Sequence, residues 1–170
     1  MRILLDKGFI RRMFEGFARK ANRRPLTDEQ KAVLQLFRKY YGTAEIFMSH
    51  RSYHTLAFRF GHLEIVQRVF SMVGTLYPTR YARRWARRLR DFGFGREDAL
   101  MISMASFSAD KPYRGRLLGA HKVITLDKRL YERFQIHRGE IETTFTKMVM
   151  ALKAPFNSAK LPEIETPPEI

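Results

Sequence analysis

Residues 2 to 6 read Arg2-Ile3-Leu4-Leu5-Asp6, and residues 121 to 127 read His121-Lys122-Val123-Ile124-Thr125-Leu126-Asp127. Each is a short apolar run that stops on a carboxylate. Runs this short, closed by polar residues and turn formers, read as buried strands rather than helices. Between them the chain alternates in kind. Phe9, Ile10, Met13, Phe14 and Phe17 recur at helical spacing with Arg and Lys between them, which predicts an amphipathic helix broken at Asn22 to Pro25. Thr27 and Gln30 form a capping-box pair that opens a second helix lined by Ala32, Val33, Leu36, Phe37, Tyr40 and Tyr41, with Gly42 as its stop.

Working outward, residues 44 to 48 suit a second strand, and Ser49 can cap the helix after it. Residues 53 to 73 favour helix with an interruption at Gly61. A strand is expected around Thr75 to Tyr77, closed by Pro78, then helices over 79 to 92 and 97 to 107. Residues 108 to 119 read as a loop, and residues 140 to 152 as a last helix. Strands alternating with helices predict an α/β fold, a three-layer α/β/α sandwich around a mostly parallel sheet. Residues 1–153 are expected to form one domain. Residues 154–170 hold four prolines, three glutamates and one lysine, and are expected to be a flexible tail.

Composition narrows the function classes. No apolar stretch approaches the ~18 residues that span a bilayer, so no membrane is expected as a partner. The first residues lack an apolar h-region, so a signal peptide is not expected. The chain has no cysteine, which excludes a disulfide scaffold, a thiol nucleophile and Cys-ligated zinc, and fits a cytoplasmic setting. Thirty-two Lys and Arg against 17 Asp and Glu give a formal charge of +15, which attracts polyanions, nucleic acid foremost. A merely solvated basic surface is the blander alternative.

In parallel sheets ligands bind at the carboxyl ends of the strands, where Asp6 and Asp127 are expected. A third acid, Asp98, opens the apolar helix of residues 97 to 107, with Glu97 beside it. Each alone is as readily a helix cap or a dipole partner. Together in one pocket they would repel unless a hard divalent cation joined them.

Asp6 ending the first strand, Glu97-Asp98-Ala-Leu opening a late helix, and Val-Ile-Thr-Leu-Asp127 ending a later strand resemble the PIN domain. The similarity is best over residues 76 to 134. The family includes toxin nucleases of toxin–antitoxin pairs and RNA-processing nucleases. The resemblance implies a PIN-like fold and a metal-dependent endoribonuclease that hydrolyses RNA phosphodiester bonds with Mg²⁺ or Mn²⁺. It implies Asp6, Asp98 and Asp127 as metal ligands, Glu97 as an auxiliary, and Thr125 as a hydrogen-bonding support. An antitoxin, an RNA-processing partner or a second copy of the chain are the protein partners it leaves open. The chain departs from the family where Lys7-Gly8 follow the first Asp. It departs again where Ser49 to His54 stand in place of a helical Glu, so that His54 or a neighbour takes that position; Glu64 is too far round to substitute. These departures keep a second reading open, a PIN-like nucleic-acid-binding module with weakened catalysis. His50, His54 and His62 are candidates for a ligand or a base, with structural histidine as the alternative.

Residues 80 to 92 read RYARRWARRLRDF. At 100° per residue Arg80, Arg83, Arg84, Arg87, Arg88 and Arg90 fall within an arc of about 160°. Tyr81, Ala82, Trp85, Ala86, Leu89 and Phe92 take the other side, which is expected to dock on the sheet. Guanidinium forks suit phosphate oxygens, and Asp91 is the one acid in the segment. Lys128 and Arg129, with Arg114, Arg116 and Lys122, are expected to extend this nucleic-acid track to the rim.

Overall fold

The computed structural model describes residues 1 to 168. Strand β1 (Arg2–Leu5) leads into α1 (Lys7–Ala21) and α2 (Asp28–Tyr40), followed by β2 (Glu45–Ser49), α3 (His50–Phe60), α4 (Glu64–Met72) and β3 (Gly74–Pro78). Then come α5 (Arg80–Leu89), a 3-10 turn at Arg90–Phe92, α6 (Arg96–Phe107) and the short β4 (Ser108–Ala109). The chain closes with β5 (Lys122–Ile124), α7 (Lys128–Ile136), α8 (Arg138–Met150) and β6 (Glu163–Glu165). The six strands form one sheet in the order β4-β3-β2-β1-β5-β6, and every neighbouring pair is parallel except β3 with β4.

Successive strand residues point to opposite faces, and both faces are covered. Leu4, Leu76, Val123 and Ile164 meet apolar side chains of α5, α6, α7 and α8 in one core. Ile3, Leu5, Ile46, Met48 and Ile124 meet those of α1 to α4 in another. This α/β arrangement, with helices on both faces of a mostly parallel sheet, is compatible with a three-layer sandwich.

Local signals account for most helix starts. Thr27 and Gln30 make the expected reciprocal capping box on α2. Ser49, Thr79 and Asp127 cap α3, α5 and α7 through their side chains, each such cap being worth about 1 kcal/mol. Gly42 adopts a φ of 77° just past α2, a left-handed conformation costly to other residues. Gly74 opens β3 because a Cβ there would lie 2.5 Å from the Phe47 ring.

The structure differs from the sequence reading in four places. The C-terminal segment is not a loose tail over its described length: residues 163–165 add a sixth strand parallel to β5. Its Glu165 accepts hydrogen bonds from Lys39 at 2.8 Å, Tyr40 at 2.5 Å and Lys122 at 3.1 Å. Only residues 169 and 170 of that expected tail lie outside the described residues. Helix α7, with two buried apolar residues in nine, was not anticipated. Within the expected loop of residues 108–119, Ser108 and Ala109 pair with β3 as the antiparallel edge strand β4. Finally, the apolar side of α5 rests chiefly on α6 and not on the sheet, with Trp85 edge-on to Phe145 of α8 at 5.1 Å. Helix α6 takes the position against the sheet, which is why it is buried almost all round.

Candidate functional site

The chain runs from β1 outward through β2, β3 and β4, and only afterwards returns to the opposite side of β1 with β5 and β6. The strand order therefore reverses between β1 and β5. In open parallel sheets the crevice beyond the carboxyl ends of such a strand pair is where ligands bind. Asp6 stands one residue past β1, and its amide continues the ladder by donating to the Ile124 carbonyl at 2.9 Å. Thr125 stands one residue past β5 and is fully buried. Its hydroxyl donates to Asp6 Oδ2 at 3.1 Å and accepts from the Asp127 amide at 3.0 Å.

A cavity of about 210 Å³ opens at this point. Asp6, Lys7, Glu97 and Asp98 line one part of it, and Ser49, His50, Ser52 and Thr55 another, over an apolar floor that includes Leu4, Met101 and Met104. Helix α6 delivers its acids here because its first turn starts at the rim. A side chain at position 8 would crowd Asp6 Oδ2 to 3.2 Å, so the glycine keeps that carboxylate accessible.

Two of the acids are held above the ordinary carboxylate range. For Asp6 burial is the main cause; the Thr125 hydroxyl works against it, the charge of Asp98 adds to it, and the amides of Lys7 and Gly8 oppose it. For Asp98 burial again leads, followed by the charges of Asp127 and Glu97, with Arg133 opposing. Asp98 thus feels Asp127, and Asp6 feels Asp98. The three expected acids, far apart in sequence, share one electrostatic neighbourhood.

They do not share one coordination sphere. Among the described residues no three of Asp, Glu, His or Cys are close enough to ligate a single ion. Asp127 lies outside the cavity wall, and its Oδ1 accepts the Leu130 amide at 3.0 Å as the cap of α7. Glu97 is exposed and its carboxylate lies 3.7 Å from the Lys7 ammonium, a solvated pair worth little. The donor set that fits a hard divalent cation is Asp6 with Asp98. The Asp98 side chain makes no hydrogen bond to described residues, and Asp6 accepts only the Thr125 hydroxyl from a side chain. Two carboxylates with water completing the shell are characteristic of Mg²⁺.

Where the PIN family carries a helical Glu, the facing wall has no carboxylate. Ser49 accepts the Ser52 amide at 3.1 Å and donates to its hydroxyl at 2.8 Å. His50 faces the cavity and lies on Tyr77 with ring centroids 4.5 Å apart. His54 is exposed and reaches the site only through His50, their Nε2 atoms being 2.8 Å apart. Glu64 pairs with Arg68 at 2.6 Å on α4, and neither it nor His62 lines the cavity.

The cations divide likewise. Arg80, Arg83, Arg84, Arg87 and Arg90 are exposed and Arg88 half-buried. None of the six has an acidic partner among the described residues. Lys128 and Arg129 are exposed on the first turn of α7, beside Asp127. Lys122 does not extend the track, because it stands at the opposite end of β5 and is turned to Glu163, Glu165 and Tyr40. Arg133, not singled out from sequence, donates to the Gly93 carbonyl and sets its charge against Asp98. Only recognition of α7 would have exposed it. No family model, curated protein or solved structure matches this chain.

Proposed function

We propose that the protein is a PIN-like, metal-dependent endoribonuclease with a three-layer α/β/α architecture. The observation that carries this reading is the pair of partly buried carboxylates, Asp6 and Asp98, lining one cavity where the strand order reverses. Both are held above their usual pKa range, and such perturbed acids in a cleft are functional candidates with a physical cause. Asp6 and Asp98 would hold Mg²⁺ or Mn²⁺. The chemistry supplied by that ion is neutralisation of phosphate oxygens and acidification of water for in-line attack on phosphorus. Thr125 fixes the Asp6 carboxylate against rotation. Asp127 adds negative charge at Asp98 and, as the cap of α7, a fixed end to the rim. His50, Ser52 and Thr55 offer hydrogen-bonding groups to a phosphate or ribose on the facing wall.

The test is cleavage of labelled RNA by the purified chain with Mn²⁺ and with EDTA, for the native protein and Asp98→Asn. Cleavage that requires Mn²⁺ and falls at least ~100-fold in the variant supports the reading, since loss of a group central to charge stabilisation typically costs that much. Metal-independent cleavage, or none in the native protein, overturns it. Two observations favour a second reading. With Lys7 beside Glu97 and no three-acid group among the described residues, a nucleic-acid-binding module with weakened catalysis is the alternative. It predicts RNA binding without turnover.

A further inference from the structure

The arginine face of α5 is a charged feature that the cavity leaves unexplained. Its route through the fold connects it to that cavity. The chain enters α5 from Pro78, which lines the cavity, through the Thr79 cap. It leaves through the 3-10 turn to Gly93, where the carbonyl accepts from Arg133, and returns to the cavity wall at Glu97 and Asp98. The chain thus touches the cavity wall before α5, at Pro78, and again after it, at Glu97 and Asp98. Ten helical residues span about 15 Å. Over that length Arg83, Arg84 and Arg87 are exposed with no acidic partner among the described residues, and Arg80 is held over the Tyr81 ring, 4.7 Å from its centroid.

An arginine row with no anions of its own repels itself and is relieved by an external polyanion. A membrane is a poor fit: the exposed side of α5 carries no apolar residue to enter a lipid interface, because Tyr81, Trp85, Leu89 and Phe92 all pack inward. A nucleic-acid backbone fits, since successive phosphates present forked acceptors along a line and a helix about 15 Å long runs beside more than one of them.

We infer that the exposed arginine face of α5 is a docking track for the phosphate backbone of RNA, which it holds by charge, without reading bases, alongside the acid cavity. The statement that the track delivers a strand for cleavage rests on the nuclease reading; the docking itself does not. Arg83, Arg84 and Arg87 are its core. Their side chains leave the buried face untouched, so replacing them removes charge and spares the packing of Ala82, Trp85 and Ala86.

The test is fluorescence anisotropy of a labelled RNA hairpin with the full chain, titrated from low to high NaCl in EDTA so that no metal-dependent cleavage intervenes. The native protein is compared with R83Q/R84Q/R87Q and with a charge-matched control, K147Q/K153Q/K160Q, whose lysines are exposed elsewhere. Thermal melts verify that both variants are folded. The α5 variant should bind at least ~10-fold more weakly at low salt, with the slope of log K against log salt reduced by about 2 to 3, while the control changes far less. Equal losses in the two variants, no RNA binding by the native protein, or a native preference for phosphatidylserine vesicles over RNA would each overturn the proposal. If the α5 variant loses binding but the native protein never cleaves RNA, the track stands and the nuclease reading falls. If cleavage is seen and R83Q/R84Q/R87Q binds like the control, the reverse holds.

Discussion

The Thr125 hydroxyl and the Asp6 carboxylate, 119 residues apart in the chain, meet at 3.1 Å and join the carboxyl ends of β5 and β1. The same hydroxyl accepts the Asp127 amide, so one buried oxygen orders two of the three acids. Replacing Thr125 with Val keeps the shape and removes both hydrogen bonds. Each of these part-buried hydrogen bonds is worth about 0.5–1.5 kcal/mol net, so the urea midpoint of Thr125→Val should fall correspondingly. Thr125→Ser should recover most of the loss. A midpoint equal to the native one would show the clip to be ornamental.

Asp6 is expected to cost stability at neutral pH. Its folded-state pKa is raised, chiefly by burial. The folded chain therefore holds that proton more tightly than the unfolded chain, and stability is lost as pH rises through the raised value. Asp6→Asn removes the ionised form. Its melting temperature should exceed the native one at pH 7, and the gap should close below the ordinary carboxylate pKa of about 4. Calorimetry at pH 3.5 and pH 7 measures the difference. An unchanged gap at the two pH values would mean that the stabilisation has another cause.

A divalent cation should reverse that cost. Saturating Mn²⁺ at 100 times its dissociation constant would stabilise the native fold by about 2.7 kcal/mol. The shift in melting temperature should disappear in Asp6→Asn/Asp98→Asn and on adding EDTA. A shift of the same size in the double variant would place the ion elsewhere.

The strand β6 should behave as part of the folded core. Ile164 is buried, and truncating such a residue costs about 2–5 kcal/mol. Ile164→Ala should lie near the lower end of that range because the strand is at the sheet edge, and chemical denaturation measures it. Glu165 works against a burial penalty, yet hydrogen bonds from Lys39, Tyr40 and Lys122 hold its pKa below the usual range. Its contribution is present above the unfolded carboxylate pKa and lost as pH falls through the lowered one. Glu165→Gln should therefore be less stable than the native protein at pH 7, with the difference shrinking toward pH 3. Native-like midpoints for both variants at pH 7 would show a strap that adds nothing to the fold.

Much of the architecture was legible because its signals are local. The 3.6-residue rhythm of Phe9, Ile10, Met13 and Phe14, the Thr27–Gln30 pair and the amphipathic division of α5 all lie within a turn or two of chain. The segment around Glu163 had no such signal: one isoleucine between two glutamates has no period to read. Its strand exists because β5 offers a free edge for its backbone and a core for Ile164, while Lys122 and Tyr40, the latter 125 residues away, hold Glu165. Helix α7 was hidden for a similar reason, since Leu130 and Phe134 make too narrow an apolar stripe among five polar or charged neighbours.

The acids divide along the same line. That Asp6 and Asp127 would follow strands, and that Asp98 would open a helix, could be read from neighbouring residues, because strand ends and helix starts are set by short stretches of chain. Which carboxylates face one another depends on the reversal of strand order at β1, on how α6 crosses the rim, and on the Leu130 amide that claims Asp127. Those are distances between remote segments, decided by packing two apolar cores on opposite faces of one sheet, and only the folded chain carries them.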